Sequence, residues 1–279
     1  LALGAGGARG FAHVGVIEVL AERGFEVVAV AGSSMGALVG GVTAAGRLAE
    51  FTEWAVALKQ RDVLRLLDPK WALPGVLAAD RLIDHLDGFL AEAMIEDLPI
   101  PYTAVATDIT SRREVWFQKG MLRSAIRASI AIPGLITPVV ADGRVLADGG
   151  LLNPVPIEPT AAVPADLTVA VSLLARRPEH GSAAPIRTTA KRHWRTRLGL
   201  SRVAHDEVTP ELRLSDVLVS SLDAMQDMIA RYRMAGLPPD VHIAVPVTAC
   251  GVLEFHRAAE MVALGRELAT RALDDAGLG

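Results

Sequence analysis

The sequence predicts an α/β protein with a mostly parallel sheet covered by helices on both faces. Two observations point there. Short runs of β-branched residues and alanine, as in a buried strand, alternate with segments of helical period from the first residue onward. Two early strand-to-helix turns are made almost wholly of glycine, alanine and serine, the small residues that a sharp turn needs.

The elements follow in order. Residues 1–3 form a short apolar strand, and the glycine-rich stretch 4–10 is the first turn. Residues 11–22 place Phe11, Val14, Ile17 and Leu20 three apart, as on one helix face, and Gly24 stops the helix. Residues 26–31 are the second strand and 35–45 the second helix; residues 47–98 read as helical, broken at Pro69 and at Pro74-Gly75. Strands are expected at 102–107 and 114–117, and a short helix at 122–129 ends before Ile132-Pro133-Gly134. Asp142-Gly143, between strands 137–141 and 144–147, is a two-residue hairpin signal. A buried strand at 167–173, a long helix at 214–234, a strand at 241–245 and a helix at 255–276 complete the pattern.

Composition removes several classes. The chain has 279 residues, 51% hydrophobic and 22% charged, which excludes disorder and suits one domain over residues 1–279. Its single cysteine, Cys250, cannot form an internal disulfide. A net charge of −4 offers no general attraction to nucleic acid. No signal peptide is visible, and the opening on Leu1 directly in a strand suggests a trimmed start. Residues 27–46 carry no charge, and Gly32, Gly36 and Gly40 recur every fourth position, as in a membrane helix. A strand, a turn and a helix explain the same residues better, because such a composite cannot cross lipid as one element.

Residues 176–202 hold eight Lys or Arg against Glu179 alone, a net +7 that leaves −11 on the rest of the chain. With Pro178 and Pro185, the segment 176–213 reads as a basic surface loop. A solvated loop is the plainer account; attraction to anionic lipid, with Trp194 set among the charges, is the functional one.

The chemistry concentrates in three places. Gly32-Ser33-Ser34-Met35-Gly36 fits G-x-S-x-G and puts Ser34 on a strand-to-helix turn. There the hydroxyl projects at the strand's carboxyl end, beside a helix N-terminus that favours negative charge. Gly4 to Gly10 fails as a dinucleotide fingerprint, because the position of the third glycine holds Arg9, and as a phosphate loop, for want of Gly-Lys-Ser/Thr. As an oxyanion hole it explains both turns at once, since adjacent parallel strands set it beside Ser34. The nucleophile needs a base. His242 or His256 has the chain order of a Ser-His-Asp hydrolase, but His242 alternates with apolar residues in a strand and His256 starts a helix. Asp148, between a strand and Gly149-Gly150, is the better candidate, because a buried carboxylate is basic enough to take the serine proton.

The three motifs, in this order, resemble the patatin-like phospholipase family, and within it bacterial proteins similar to the neuropathy target esterase catalytic domain. The resemblance covers residues 6–16, 32–41, 127–133, 147–156 and 215 to the end. It implies a three-layer α/β/α sandwich and a Ser–Asp dyad, with Ser34 as nucleophile and Asp148 as base. It further implies that amides around Gly6, Gly7 and Ala8 hold the oxyanion, with Arg9 fixing that loop. The implied reaction is hydrolysis of a carboxylic ester of a phospholipid or lysophospholipid through an acyl-serine, with no metal and no cofactor. A cytoplasmic location with peripheral membrane contact is expected. Ala5 stands where the family usually has glycine. Three alternatives remain: a dinucleotide-binding oxidoreductase, a Ser-His-Asp hydrolase, and a hydrolase fold kept as an interaction module.

Overall fold

The computed structural model describes residues 1–66, 85, 88–90, 92–175 and 214–279. The segments 67–84 and 176–213, with most of the expected helical break around Pro69 and Pro74 and the whole basic loop, lie outside the described residues.

Eight strands form one sheet: β1 Ala2–Leu3, β2 Val30–Ser33, β3 Tyr102–Asp108, β4 Arg113–Phe117, β5 Val139–Ala141, β6 Arg144–Asp148, β7 Val169–Ala175 and β8 Val241–Pro246. The order is β5-β6-β3-β2-β1-β7-β8, with β4 also on β3. The run from β3 through β2, β1 and β7 to β8 is parallel; β4, β5 and β6 are antiparallel additions. Helices α1 Ala12–Glu22, α2 Met35–Ala44, α3 Leu48–Ala57, α4 Gln60–Leu66, α5 Leu122–Ser129, α6 Leu214–Gly236 and α7 Ala258–Asp275 cover it.

Alternation along the strands divides the core. Leu3, Val169 and Val171 point into the main cluster with α1, α2 and α7, whereas Ala2 and Ala170 pack on the other face with Val155, Ile157 and Ala230 of α6. This is the three-layer α/β/α arrangement with a mostly parallel central sheet. Asp142 and Gly143 both take positive φ, as a two-residue hairpin turn requires, and join β5 to β6.

The second strand departs from expectation. It occupies Val30–Ser33 rather than 26–31 and so runs through Gly32 and Ser33 to the edge of the turn. Its ladder begins where partners exist: Val30 pairs with Tyr102, and Ala31 with both Ala2 and Thr103. Of the residues before Val30, Ala29 accepts through its carbonyl from the Leu1 ammonium at 2.8 Å, just ahead of β1. The uncharged stretch 27–46 is this strand, a one-residue turn and the ten-residue helix α2. Among the described residues no helix is long and apolar enough to cross a membrane.

One edge of β3 is shared. Ala104 and Val105 pair with both β2 and β4, so those two strands lie on opposite edges of β3. Ala106, Thr107 and Asp108 pair with both β4 and β6, so β6 lies on the same edge as β2. β2 ends at Ser33 opposite Val105, and β6 ends at Asp148 opposite Ala106. Two strands running in opposite directions therefore meet end to end.

Candidate active site

Ser34 has φ 56°, ψ −124°, a left-handed conformation that a non-glycine residue adopts only under constraint. Gly32 and Gly36 make that constraint possible. A Cβ on Gly32 would collide with the Gly36 carbonyl, and one on Gly36 with the Leu3 carbonyl, so the α2 N-terminus sits directly on β1 and β2. The Ser34 N–H donates to Ser129 Oγ at 2.9 Å, and that hydroxyl donates to Val105 O at 2.6 Å. Ser33 points elsewhere and donates to Asn153 O at 2.6 Å.

The Ser34 hydroxyl donates to Asp148 Oδ2 at 2.5 Å, with both residues buried. Asp148 Oδ1 accepts from Gly150 N–H at 2.7 Å, which fixes the carboxylate plane. The Asp148 backbone is held too: its N–H donates to Ala131 O, and its carbonyl accepts from Thr107 Oγ1. A Cβ on Gly149 would strike the Val105 carbonyl, and one on Gly150 the Ala5 methyl, so the turn after Asp148 lies flat against β3 and the first turn. Burial pushes the Asp148 carboxyl up to about 7, against the opposing hydrogen bonds from Ser34 and Gly150. The carboxylate is thus basic near neutral pH.

The first turn lies beside this pair because β1 and β2 are parallel neighbours, Leu3 opposite Gly32. A short 3-10 turn, Gly7–Phe11, precedes α1. Gly7 has φ +57°, and a Cβ there would fall 2.5 Å from Val252 O. The Ala8 N–H donates to that same carbonyl at 2.9 Å, so it is not free for a substrate oxygen, whereas Gly6 and Gly7 N–H have no such partner among the described residues. Arg9 is buried; its guanidinium donates to Gly6 O at 3.1 Å and to Val247 O at 3.4 Å, and pairs with Asp223 of α6 at 3.4 Å. His13 braces the turn from behind, its Nε2 2.9 Å from Gly4 O. Burial pushes that ring down to about 4, so it is neutral and Nε2 carries the donated proton.

Neither histidine of a Ser-His-Asp arrangement is the hydrogen-bond partner of Ser34. His242 lies on β8, separated from β2 by β7 and β1, with its Nε2 2.8 Å from Ser172 Oγ. His256 lies in the 3-10 turn before α7. Ser129, Asn153 and Asp223, which hold the site, lie in segments that the resemblance covers but were not singled out by their type or spacing; they arrive from 95, 120 and 214 residues away from their partners.

Ser34 opens on a cavity of about 60 Å³ lined almost wholly by apolar side chains. Met35, Leu38, Phe11 and Phe51 form its buried walls, and Leu253, 39% exposed, stands at the rim.

Strand, elbow, carboxylate and glycine turn define a chain of one family. The patatin-like phospholipase model matches residues 1–161, and the chain belongs to that family. It is similar to an uncharacterized NTE family protein of Mycobacterium tuberculosis, 43% identical across 98% of this chain and 91% of that protein. It is also similar to patatin-like phospholipase domain-containing protein 6 of Homo sapiens, 34% identical over 62% of this chain but only 13% of that much longer protein. Among solved structures, VipD from Legionella pneumophila matches with a TM-score of 0.48 and 14% identity, over 97% of this chain and 66% of that one.

Proposed function

We propose that this protein is a serine hydrolase that cleaves carboxylic esters of phospholipids or lysophospholipids through an acyl-serine, with Asp148 as its base. The observation that carries this is the Ser34 Oγ to Asp148 Oδ2 hydrogen bond of 2.5 Å at the mouth of an apolar cavity. Asp148 takes the hydroxyl proton as Ser34 Oγ bonds to the ester carbonyl carbon. The resulting oxyanion is stabilised by the Gly6 and Gly7 amides and by the N-terminus of α2. Asp148 returns the proton to the leaving alcohol as the ester C–O bond breaks. A water then repeats the sequence on the acyl-serine: Asp148 takes its proton, its oxygen bonds to the acyl carbon, and Ser34 recovers the proton as the fatty acid leaves. Arg9 keeps the oxyanion turn in place through Gly6 O. The cavity receives the acyl chain, because apolar walls lower the cost of withdrawing it from lipid.

The test is a fluorophosphonate probe with mapping of the labelled residue, beside a panel of phospholipids and lysophospholipids. Label on Ser34, absent in Ser34→Ala, with release of fatty acid, is expected. Label on another serine, or turnover that survives Ser34→Ala, overturns the proposal.

A further inference from the structure

The chemistry at Ser34 leaves the length of the acyl chain open, and the cavity beside it bears on that length. Phe51 lines the cavity yet is itself completely buried, so it forms wall and core at once. It is held among other rings: its centroid lies 6.2 Å from Phe11 and 5.7 Å from Trp54, which line the cavity beside it, and 6.2 Å from Phe89, which does not line it. Protein cores are packed to the density of organic crystals, so a ring wedged among three others does not recede to admit more chain. Leu253 in the lining is 39% exposed and Phe51 fully buried, so the cavity runs from an exposed residue to a core one. Phe51 comes from α3, which supplies none of the reacting groups, so the wall is separable from the chemistry.

The cavity volume sets the scale. The space open to water-sized groups beside Ser34 amounts to about 60 Å³.

We infer that Phe51 is the floor of the acyl site and a specificity-determining residue: it sets the acyl length beyond which added carbons gain no further turnover. This rests on the serine-hydrolase function proposed above. Longer chains fill the site and leave their remaining carbons in water, so they gain nothing further from it.

The experiment is a series of p-nitrophenyl esters from acetate to palmitate, below their critical micelle concentrations, with the whole chain. For the native protein kcat/KM is expected to rise roughly fourfold per added methylene, the worth of burying one, and to stop rising once the cavity is full. Phe51→Leu is expected to move that ceiling to longer chains, and Phe51→Ala to move it further. Leu58→Phe, which adds bulk at a half-buried lining position, is expected to move it to shorter ones. Should Phe51→Ala fail to fold, as judged by its melting, Phe51→Leu and Leu58→Phe still decide. A ceiling that stays put in both, or a native rise continuing unbroken to palmitate, overturns the inference. Ser34→Ala separates the two claims: serine-dependent turnover with an unmoved ceiling defeats the floor alone, whereas turnover surviving Ser34→Ala defeats the proposed function and the floor with it.

Discussion

Ser34 and Asp148 are 114 residues apart in sequence and meet because each lies at the end of a strand laid on the same edge of β3. β2 delivers the serine from one direction and β6 the carboxylate from the other. Neither side chain has to reach across the sheet.

Ser34→Ala is expected to abolish ester hydrolysis with the protein still folded, since the smaller side chain fits the same turn. Ser33→Ala is expected to keep most activity and to lose about 1 kcal/mol of stability, because it removes the bond to Asn153 O. Hydrolysis by both variants and their chemical denaturation check this; an inactive Ser33→Ala beside an active Ser34→Ala would reverse the assignment.

The pH dependence follows from Asp148. In the proposed mechanism its carboxyl must be ionised to accept the serine proton, and burial places its titration at about 7. The kcat/KM is expected to be low in acid and to rise through pH 7 with the slope of one proton. Asp148→Asn is expected to lose 10²-fold or more, in the range of general base catalysis. A profile already flat above pH 5 would show an ordinary carboxylate and remove Asp148 from this role.

Stability should respond in the opposite sense. In the unfolded chain the carboxyl titrates near 4, but in the native protein near 7. The native state binds the proton more tightly, so this contribution to stability is complete below pH 4 and is lost as pH rises through 7. Asp148→Asn carries no charge to bury. Its stability relative to the native protein is expected to be greater at pH 8 than at pH 4, by on the order of a few kcal/mol, with a melting temperature that shifts in the same sense. Parallel melting curves across that range would contradict it.

Gly7 is a constrained position of the first turn, where the oxyanion site is proposed. A methyl there meets both a left-handed backbone and Val252 O, so Gly7→Ala and, more severely, Gly7→Val displace the turn. Loss of one oxyanion donor costs about 10²-fold in kcat, and the loss is expected to fall on kcat with little change in KM. Unchanged kcat in a folded Gly7→Val would place the oxyanion elsewhere.

Much of this site was legible locally. The glycines around Ser34 mark a turn that only small residues can make, and Asp142-Gly143 marks the hairpin that carries Asp148 back to β3. β2 starts at Val30 rather than at Glu26, and Val28 is 40% exposed: a run of apolar residues does not say where a neighbouring strand offers hydrogen bonds. The engagement of Ala8 N–H by Val252 O was hidden for the same reason, as was the pairing of Arg9 with Asp223 on α6. Such contacts depend on where distant segments dock, and no local pattern records that.

The meeting of two strand ends on β3 also bears on how the chain acquires activity. Helices α1 and α2 form from neighbouring residues, but the Ser34–Asp148 pair exists only after β2, β3 and β6 have all closed long loops and settled in register, the slow part of folding for sheet topologies. During refolding from denaturant, helical signal should return first and hydrolysis last, so that catalytic competence marks completion of the sheet.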